Sequence, residues 1–300
     1  MPSDPPLIIV ELDDALLRSA LFWESLIQLI AQNLIYFFVL PVWLLKGKAN
    51  LYYQIALRAN VQVDLLPYNE NLLEYLKKQR TLGKKIVLVS TANELLVAKV
   101  ANYLDTFDQY LSSSKTNILQ GIFRQSQIKN VTGEDSYSYV GSNSEDLENW
   151  SENAEAAKAS ELQKQHSASE IEPDLNKAFG SKQGNIHYFL EAMRLHQWLK
   201  NTLVFVPIAL SHQVANFNLL LTVVTGFLAF CFCASSVYIL NDLLDLENDR
   251  RHNTKRYRPF ASGQLSLASG MLAWPFLLLV SALLASQTTA EFCLVLAVYY

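Results

Sequence analysis

The sequence predicts a doubly wound α/β domain with a parallel sheet, followed by an all-α bundle of transmembrane helices. Two observations favour this combination. Short apolar runs alternate with helical patterns in the first half of the chain, as in a doubly wound sheet. The chain has 300 residues with 24 Lys and Arg and 28 Asp and Glu, but only ten of these charges follow residue 201. Nine of the ten lie between Asp242 and Arg258, so the stretches on either side of them are almost free of charge. Uncharged stretches of this length exclude a single soluble globule.

Residues 1–143 carry the pattern of the α/β domain. The apolar runs at 7–10, 86–89 and 137–140 have the length and composition of buried parallel strands. The spacing of leucines predicts helices over Glu70–Arg80 and Glu94–Leu104, the second after a capping turn that ends at residue 93.

An uncharged segment near residues 25–45 interrupts this pattern and is followed by Lys46 and Lys48. Its length would permit a transmembrane helix. A full span, however, would separate the first strand from the rest of its sheet. We therefore expect a helical insert at the membrane interface.

Residues 144–185 are polar and predict a solvated linker, with helix expected around 152–165. Residues 186–300 predict a transmembrane domain. Its candidate spans are 199–210, 219–240, 267–284 and 292–300, and the last of these is still apolar where the sequence ends. We expect an incomplete bundle of about four spans.

The chemistry-bearing motif follows the second of these spans. On a continued helix Asp242, Asp245 and Asp249 would share one face. Crowded carboxylates repel one another unless a cation lies between them, and Mg²⁺ binds one or two carboxylates together with phosphate oxygens. A solvated acidic helix end is the alternative. The motif therefore predicts a magnesium–phosphate site at the membrane surface.

Basic residues follow the acidic ones. They would bind a diphosphate, and they would also satisfy the positive-inside rule for cytoplasmic loops. Both roles place the acidic motif on the cytoplasmic side. The expected phosphate-binding or substrate-binding residues are Asn241, Lys255, Arg256 and Arg258, with Lys200 and Asn201 from the first span. For Lys200 and Asn201, anchoring at the interface beside Trp198 is an equal alternative. The net charge of −4 gives no indication of a nucleic-acid partner.

Residues 241–266, NDLLDLENDRRHNTKRYRPFASGQLS, resemble the first aspartate-rich motif of the UbiA family of prenyltransferases. Residues 194–201, RLHQWLKN, resemble the opening of the decaprenyl-phosphate phosphoribosyltransferase-like branch. The resemblance implies an inner-membrane helix bundle, and it implies that Asp242, Asp245 and Asp249 bind Mg²⁺. It further implies a polyprenyl lipid partner and transfer of a prenyl or 5-phosphoribosyl group with release of pyrophosphate. In the phosphoribosyl branch the donor would be phosphoribosyl pyrophosphate.

A second aspartate-rich motif, which the family carries after a later span, does not occur in these 300 residues. The sequence thus predicts a C-terminally incomplete member of the family, or one that depends on another chain. We do not expect these 300 residues to be active alone.

Residues 7–15, LIIVELDDA, resemble the first motif of haloacid-dehalogenase-like (HAD) phosphatases, which reads Asp-x-Asp-x-Thr after a strand. Glu11 stands at the position of the nucleophile, Asp13 at the acid–base position, and Ala15 replaces the threonine. The longer glutamate side chain would misplace the attacking oxygen, and a displacement of about 1 Å can cost on the order of 10²-fold in rate.

The remaining motifs of this resemblance are also degenerate. Thr91 falls at the second motif, Lys129 is the nearest candidate for the motif lysine, Ser142 replaces a metal-binding aspartate, and Asp146 remains. We therefore expect a retained HAD-like fold without phosphatase chemistry, which serves for docking, regulation or scaffolding.

Three functions compete at this point. The favoured one is the UbiA-type transferase, and the second is a non-catalytic, membrane-tethered interaction protein. The third keeps the N-terminal domain as a working phosphatase.

Overall fold

The computed structural model describes residues 7–133, 137–141, 154–158 and 185–300, without the side chains of 154–158 and 185. It divides the chain into two compact units, Met1–Lys182 and Gln183–Tyr300. Ser142 and Asp146, which the sequence placed in the third phosphatase-like motif, lie outside the described residues.

The N-terminal unit is built around a parallel sheet in the order β3-β2-β1-β4-β5. The central strand β1 is buried along its whole length, in agreement with the uninterrupted apolar run. The three predicted strands and the parallel α/β class are thus confirmed, while β3 was not predicted. The strands are β1 Leu7–Glu11, β2 Lys85–Asn93, β3 Gln109–Ser113, β4 Tyr137–Gly141 and β5 Ala154–Lys158.

The fifth strand lies inside the segment that the sequence indicated to be a linker. Helix was expected around residues 152–165, but Ala154–Lys158 pairs in parallel with β4. The expectation of helix was therefore wrong for these five residues. Pairing with an available strand edge outweighs the helical preference of alanine, glutamate and lysine there.

Six α-helices accompany the sheet in the described part of this unit. The predicted helices α4 and α5 are confirmed, and the Asn93 side chain caps α5 by accepting a hydrogen bond from the Leu95 N–H at 3.1 Å. The helices of this unit are α1 Leu21–Gln32, α2 Ile35–Leu45, α3 Lys48–Arg58, α4 Glu70–Thr81, α5 Glu94–Leu104 and α6 Gly121–Thr132.

The uncharged segment near residues 25–45 forms parts of two separate helices. The inner face of α1 is buried in the unit, whereas α2 has no buried residue at all. The break lies at Asn33, whose side-chain oxygen accepts a hydrogen bond from the Ile35 N–H. Each helix is too short to cross a bilayer, which needs about 20 residues. A membrane-interface location of this insert stays a prediction.

Residues 185–300 of the C-terminal unit contain five α-helices of six or more residues. Two of them, α8 and α10, have the length and composition of membrane-crossing helices, and they pack against each other. The helices are α7 Asn185–Ala192, α8 Phe217–Leu244, α9 Leu246–Arg251, α10 Leu267–Ala285 and α11 Ala290–Tyr299.

The expected span over residues 199–210 was wrong. This segment consists of three short pieces, Trp198–Asn201, Thr202–Phe205 and Val206–Leu210, of which the middle one is a 3-10 turn. Pro207 lacks the N–H that a continuous α-helix would need there. Twelve residues would in any case extend only about 18 Å, well short of a bilayer of about 30 Å.

Candidate functional site

Two buried carboxylates lie where the long apolar helix α8 ends. Asp242 belongs to the last turn of α8 and is 3% exposed, and Asp249, seven residues later in α9, is 1% exposed. Seven residues correspond to about two helical turns, which keeps both carboxylates on the same side. Unpaired buried charges would cost several kcal/mol, so both groups need partners.

Arginine side chains supply those partners. Nη1 of Arg258 donates to Asp242 Oδ1 at 3.0 Å and to Asp249 Oδ2 at 2.7 Å. Arg194 donates from Nη2 to the same Asp242 oxygen. Both arginines are about three-quarters buried. Two cations and two anions therefore form one partly buried network, in which a single nitrogen of Arg258 joins the two carboxylates.

The third aspartate of the motif is placed differently. Asp245 caps the end of α8 and is exposed, whereas the sequence predicted that it would share a face with the other two. The short break between α8 and α9 at this residue interrupts the continuous helix on which that prediction rested. Within the described residues no group of three or more His, Cys, Asp and Glu side chains is arranged to hold a metal ion.

The other basic residues of the motif lie around this network. Lys255 Nζ is 4.0 Å from Asp249 Oδ1, while Arg256 is exposed and donates to the Tyr257 hydroxyl. Asn241 is exposed at the end of α8. Of the expected phosphate-binding residues in this motif, the structure therefore joins Arg258 directly, and Lys255 more distantly, to the buried carboxylates.

The segment from Arg194 to Asn201 runs antiparallel along α8. Arg194 contacts Asp242, Trp198 Nε1 donates to Ser235 Oγ at 3.0 Å, and the Asn201 amide donates to Cys231 Sγ at 3.3 Å. Cys231 precedes Asp242 by eleven residues, or about 16 Å along the helix. Asn201 therefore lies about three turns from the carboxylates, and Lys200 is exposed beside it.

Arg194 is the site residue that the sequence reasoning missed. It opens the RLHQWLKN stretch, but only Lys200 and Asn201 of that stretch were expected at the site. Its left-handed backbone, with φ of 53°, turns the chain between α7 and the following helical turns. The signal that could have indicated Arg194 is its charge, because it is a basic residue at the start of a stretch that was already expected at the acidic end of α8.

The network nevertheless has the donor chemistry of a magnesium–diphosphate site. Mg²⁺ takes one or two protein carboxylates and completes its shell with phosphate oxygens and water, so two neighbouring carboxylates suffice. The guanidinium of Arg258 lies between these carboxylates, where positive charge is evidently tolerated. Guanidinium groups also bind phosphate oxygens in pairs.

A second cluster of polar residues lies at the carboxyl end of β1 in the N-terminal unit. Glu11 is 8% exposed and forms an ion pair of 3.0 Å with Arg124 of α6. The Tyr139 hydroxyl of β4 donates to the other Glu11 oxygen at 3.2 Å. Gly141 leaves room for this arrangement, because an added Cβ there would lie 2.9 Å from Glu11 Oε2. The Glu11 carboxylate, which the resemblance placed at the nucleophile position, is thus held by internal contacts.

Asp13 is held in a similar way. Its Oδ2 accepts hydrogen bonds from the Ser90 hydroxyl at 2.6 Å and from the Thr91 N–H at 3.3 Å. Its Oδ1 accepts from the Leu21 N–H at the start of α1. Thr91 is therefore next to Asp13. Lys129 is exposed on α6, and Arg124 of the same helix provides the buried cation instead.

Residues 202–300 match the UbiA prenyltransferase family. No solved structure matches the chain. The uncharacterized protein y4nM of Sinorhizobium fredii is 31% identical over 97% of this chain and 57% of its own length. The nodulation protein NoeC of Azorhizobium caulinodans is 44% identical over 31% of this chain and 29% of its own length.

A decaprenyl-phosphate phosphoribosyltransferase of Corynebacterium glutamicum is 43% identical over 27% of this chain and 26% of its own length. The chain thus spans less than two thirds of the length of these relatives. The expected similarity to the phosphoribosyltransferase branch is confirmed in part. The C-terminal part of the chain carries the sequence of the UbiA prenyltransferase family.

Proposed function

We propose that the complete protein is an integral-membrane transferase of the UbiA type. Its substrates are a polyprenyl lipid and a diphosphate ester, and it transfers a prenyl or 5-phosphoribosyl group with release of pyrophosphate. The observation that carries this proposal is the network of Asp242, Asp249, Arg194 and Arg258 at the end of α8. The match of residues 202–300 to the family supports it.

Asp242 and Asp249 would hold the magnesium ion, with Asp245 as an additional ligand from the same motif. When bound, Mg²⁺ would neutralise the charge that develops on the pyrophosphate leaving group. The exposed position of Asp245 in the structure is compatible with a ligand that approaches from solvent.

The arginines would act on the diphosphate. Arg258 and Arg194 neutralise the buried carboxylates here. Because a phosphate is negatively charged like a carboxylate, a guanidinium can exchange one partner for the other and still be paired with an anion. Binding of a diphosphate would then draw both side chains toward it. Lys255, 4.0 Å from Asp249, would add a point charge at the same place.

The proposed membrane location is supported by the two long apolar helices and by the basic segment between them. The apolar helices α8 and α10 are long enough to cross a bilayer, and the segment between them contains five basic residues. Basic residues in short loops favour the cytoplasmic side. We therefore place the network at the cytoplasmic surface of the inner membrane.

The test is transfer by the full-length protein in lipid. One reaction supplies labelled phosphoribosyl pyrophosphate and decaprenyl phosphate, and the other supplies a labelled polyprenyl diphosphate and a set of acceptors. We expect a labelled lipid product with magnesium in one of the two reactions. Absence of product from both reactions would contradict the proposal.

Asparagine variants of the two buried aspartates sharpen this test. Asp242→Asn and Asp249→Asn remove a charge but keep the shape, so transfer is expected to fall on the order of 10²-fold. Glu291→Gln is the matched control, because Glu291 is exposed at the start of α11 and lies outside the network. Equal losses in all three variants would indicate a general effect of charge on insertion.

For the N-terminal unit we propose a non-catalytic role in docking or scaffolding, on a fold that resembles HAD phosphatases. The supporting observation is the buried ion pair between Glu11 and Arg124, because it engages the carboxylate that the resemblance places at the nucleophile position. We expect no magnesium-dependent release of phosphate from an aryl phosphate. Phosphate release that Asp13→Asn abolishes would overturn this role and favour a working phosphatase.

A further inference from the structure

Helix α2 in the N-terminal unit is apolar on all of its sides and has no buried residue. It contains no charged residue from Ile35 to Leu45. A helix in water normally carries polar residues on its outer face, and one that is apolar all round requires apolar surroundings. Large exposed side chains in and next to this helix are Leu34, Ile35, Phe37, Phe38, Val42, Leu44 and Leu45.

A basic cleft begins where α2 ends. It has a volume of about 750 Å³, and the side chains of Lys46, Lys48 and Lys115 line it together with Asn50 and Asn117. Lys115 Nζ lies 5.2 Å from the centre of the Tyr53 ring of α3, and this loop lysine lines the same cleft as the two others. Within the described residues none of the three lysines forms an ion pair.

We propose that α2 inserts into the surface of a lipid bilayer and that the three lysines bind the phosphate of an anionic phospholipid headgroup. Lys46 and Lys48 of the cleft follow directly after the last residue of the apolar helix, so the basic side chains lie next to the apolar surface. This site is separate from the transferase network, and it would hold the N-terminal unit on the membrane whether or not the protein transfers a group.

The shape and charge of α2 favour lipid over a protein partner. A protein groove covers one stripe of a helix, whereas acyl chains can surround an inserted helix on several sides. Three lysines next to such a helix complement the negative surface of a membrane that contains anionic lipids. Helix α2, with eleven residues, is long enough to lie in the interface but too short to span.

Photo-crosslinking in the full chain tests this proposal. A benzoylphenylalanine is placed at Phe38, which is 76% exposed, or at Tyr103 of α5, which is 52% exposed and serves as the control position. The protein is reconstituted into nanodiscs of phosphatidylcholine with or without phosphatidylglycerol. We expect lipid adducts at position 38 and none at position 103, with a higher yield in the anionic nanodiscs.

The lysines are tested in the same assay. Lys46, Lys48 and Lys115 are replaced together by glutamine, and the matched control replaces Lys77, Lys85 and Lys99, which are exposed elsewhere in this unit. Each lysine near an anionic surface shifts the equilibrium about fivefold, so the triple variant should lose about a hundredfold in the ratio of inserted to free helix. The control variant should keep the yield.

Three results would overturn the proposal. Absence of lipid adducts at position 38, or adducts to protein instead of lipid, would show that α2 does not enter the bilayer. An adduct yield that is the same with and without phosphatidylglycerol, and the same with and without the three lysines, would refute the headgroup site. Loss of the adduct on addition of inorganic phosphate would assign the cleft to a soluble phosphate compound.

Discussion

Arg258 holds two buried carboxylates through one nitrogen, and this contact brings positive charge to the acidic motif. Asp242 and Asp249 would repel each other if they were buried without a cation. The arginine supplies that cation from the segment that follows α9. The sequence predicted a cation between the carboxylates, and the structure shows that a residue of the chain can take this position.

Arg258→Gln should therefore destabilise the C-terminal unit and make its stability depend on magnesium. Removing one partner of a buried ion pair costs about 3 kcal/mol, and a divalent ion can replace the lost charge. Thermal unfolding of the full chain in detergent, with and without Mg²⁺, measures both effects. Arg256→Gln is the control, since Arg256 bonds to Tyr257 rather than to the carboxylates. A melting temperature of Arg258→Gln equal to that of the parent protein would contradict the role given to this arginine.

Arg124 has the corresponding structural role in the N-terminal unit. Arg124→Met removes the cation from the buried ion pair with Glu11, so we expect a loss of about 3 kcal/mol in the free energy of unfolding. Lys129→Met on the exposed side of the same helix should change it by less than about 0.5 kcal/mol. Chemical denaturation of the full chain in detergent compares the two, and similar losses would argue against a special role for Arg124.

At the scale of elements, the contact between α8 and α10 depends on a glycine. A Cβ added to Gly270 of α10 would lie 2.6 Å from Phe260 Cε1 and 3.0 Å from Leu243 Cδ2. Real Cβ atoms do not approach other atoms so closely, so the ring or the helix would have to move. The close approach holds α10 against the last turns of α8, next to Asp242.

Gly270→Ala should accordingly cost about 1 to 3 kcal/mol by overpacking. The same substitution at Gly226 in α8 is the matched control, because a Cβ there meets Phe292 at an ordinary distance of 3.6 Å. Alanine is also the better helix former by up to about 1 kcal/mol, so Gly226→Ala should be neutral or stabilising. Thermal unfolding in detergent checks the difference, and a Gly270→Ala variant at least as stable as Gly226→Ala would refute the packing argument.

The elements that the sequence predicted well are those with a strong local signal. Strands β1 and β2 follow uninterrupted apolar runs, and α5 begins at its predicted residue because Asn93 caps it. Strand β3, with the sequence QYLSS, has no such run, and it forms because the exposed edge of β2 is available for pairing. The apolar run over residues 199–210 predicted a span, but the segment is too short to cross a bilayer and forms three short helical pieces.

The site was predictable to a similar extent. Sequence spacing placed Asp242 and Asp249 on one side, about two helical turns apart, and both contact Arg258 although one residue separates α8 from α9. Arg194 and Arg124 reach their carboxylates across 48 and 113 residues of sequence, so their pairings depend on tertiary structure. Asp245 was misplaced because the helix breaks at that residue.

At the scale of the whole molecule, the two units carry different parts of the proposed function. The C-terminal unit contains the family match and the arginine–carboxylate network, while the N-terminal unit contains the apolar helix α2 and the buried ion pair of Glu11 with Arg124. A membrane transferase with a lipid-bound accessory domain accounts for both. The chain covers 57% of the relative y4nM, so the proposed activity refers to the complete protein.

The most direct test of the central claim is binding of a labelled diphosphate ester to the full-length protein in nanodiscs, with magnesium or with a chelator. Phosphoribosyl pyrophosphate and a polyprenyl diphosphate are the two probes. We expect one of them to bind only with magnesium, and Asp242→Asn and Asp249→Asn to lose binding while Glu291→Gln retains it. Equal binding with the chelator, or binding that both asparagine variants retain, would contradict a magnesium–diphosphate site at the end of α8.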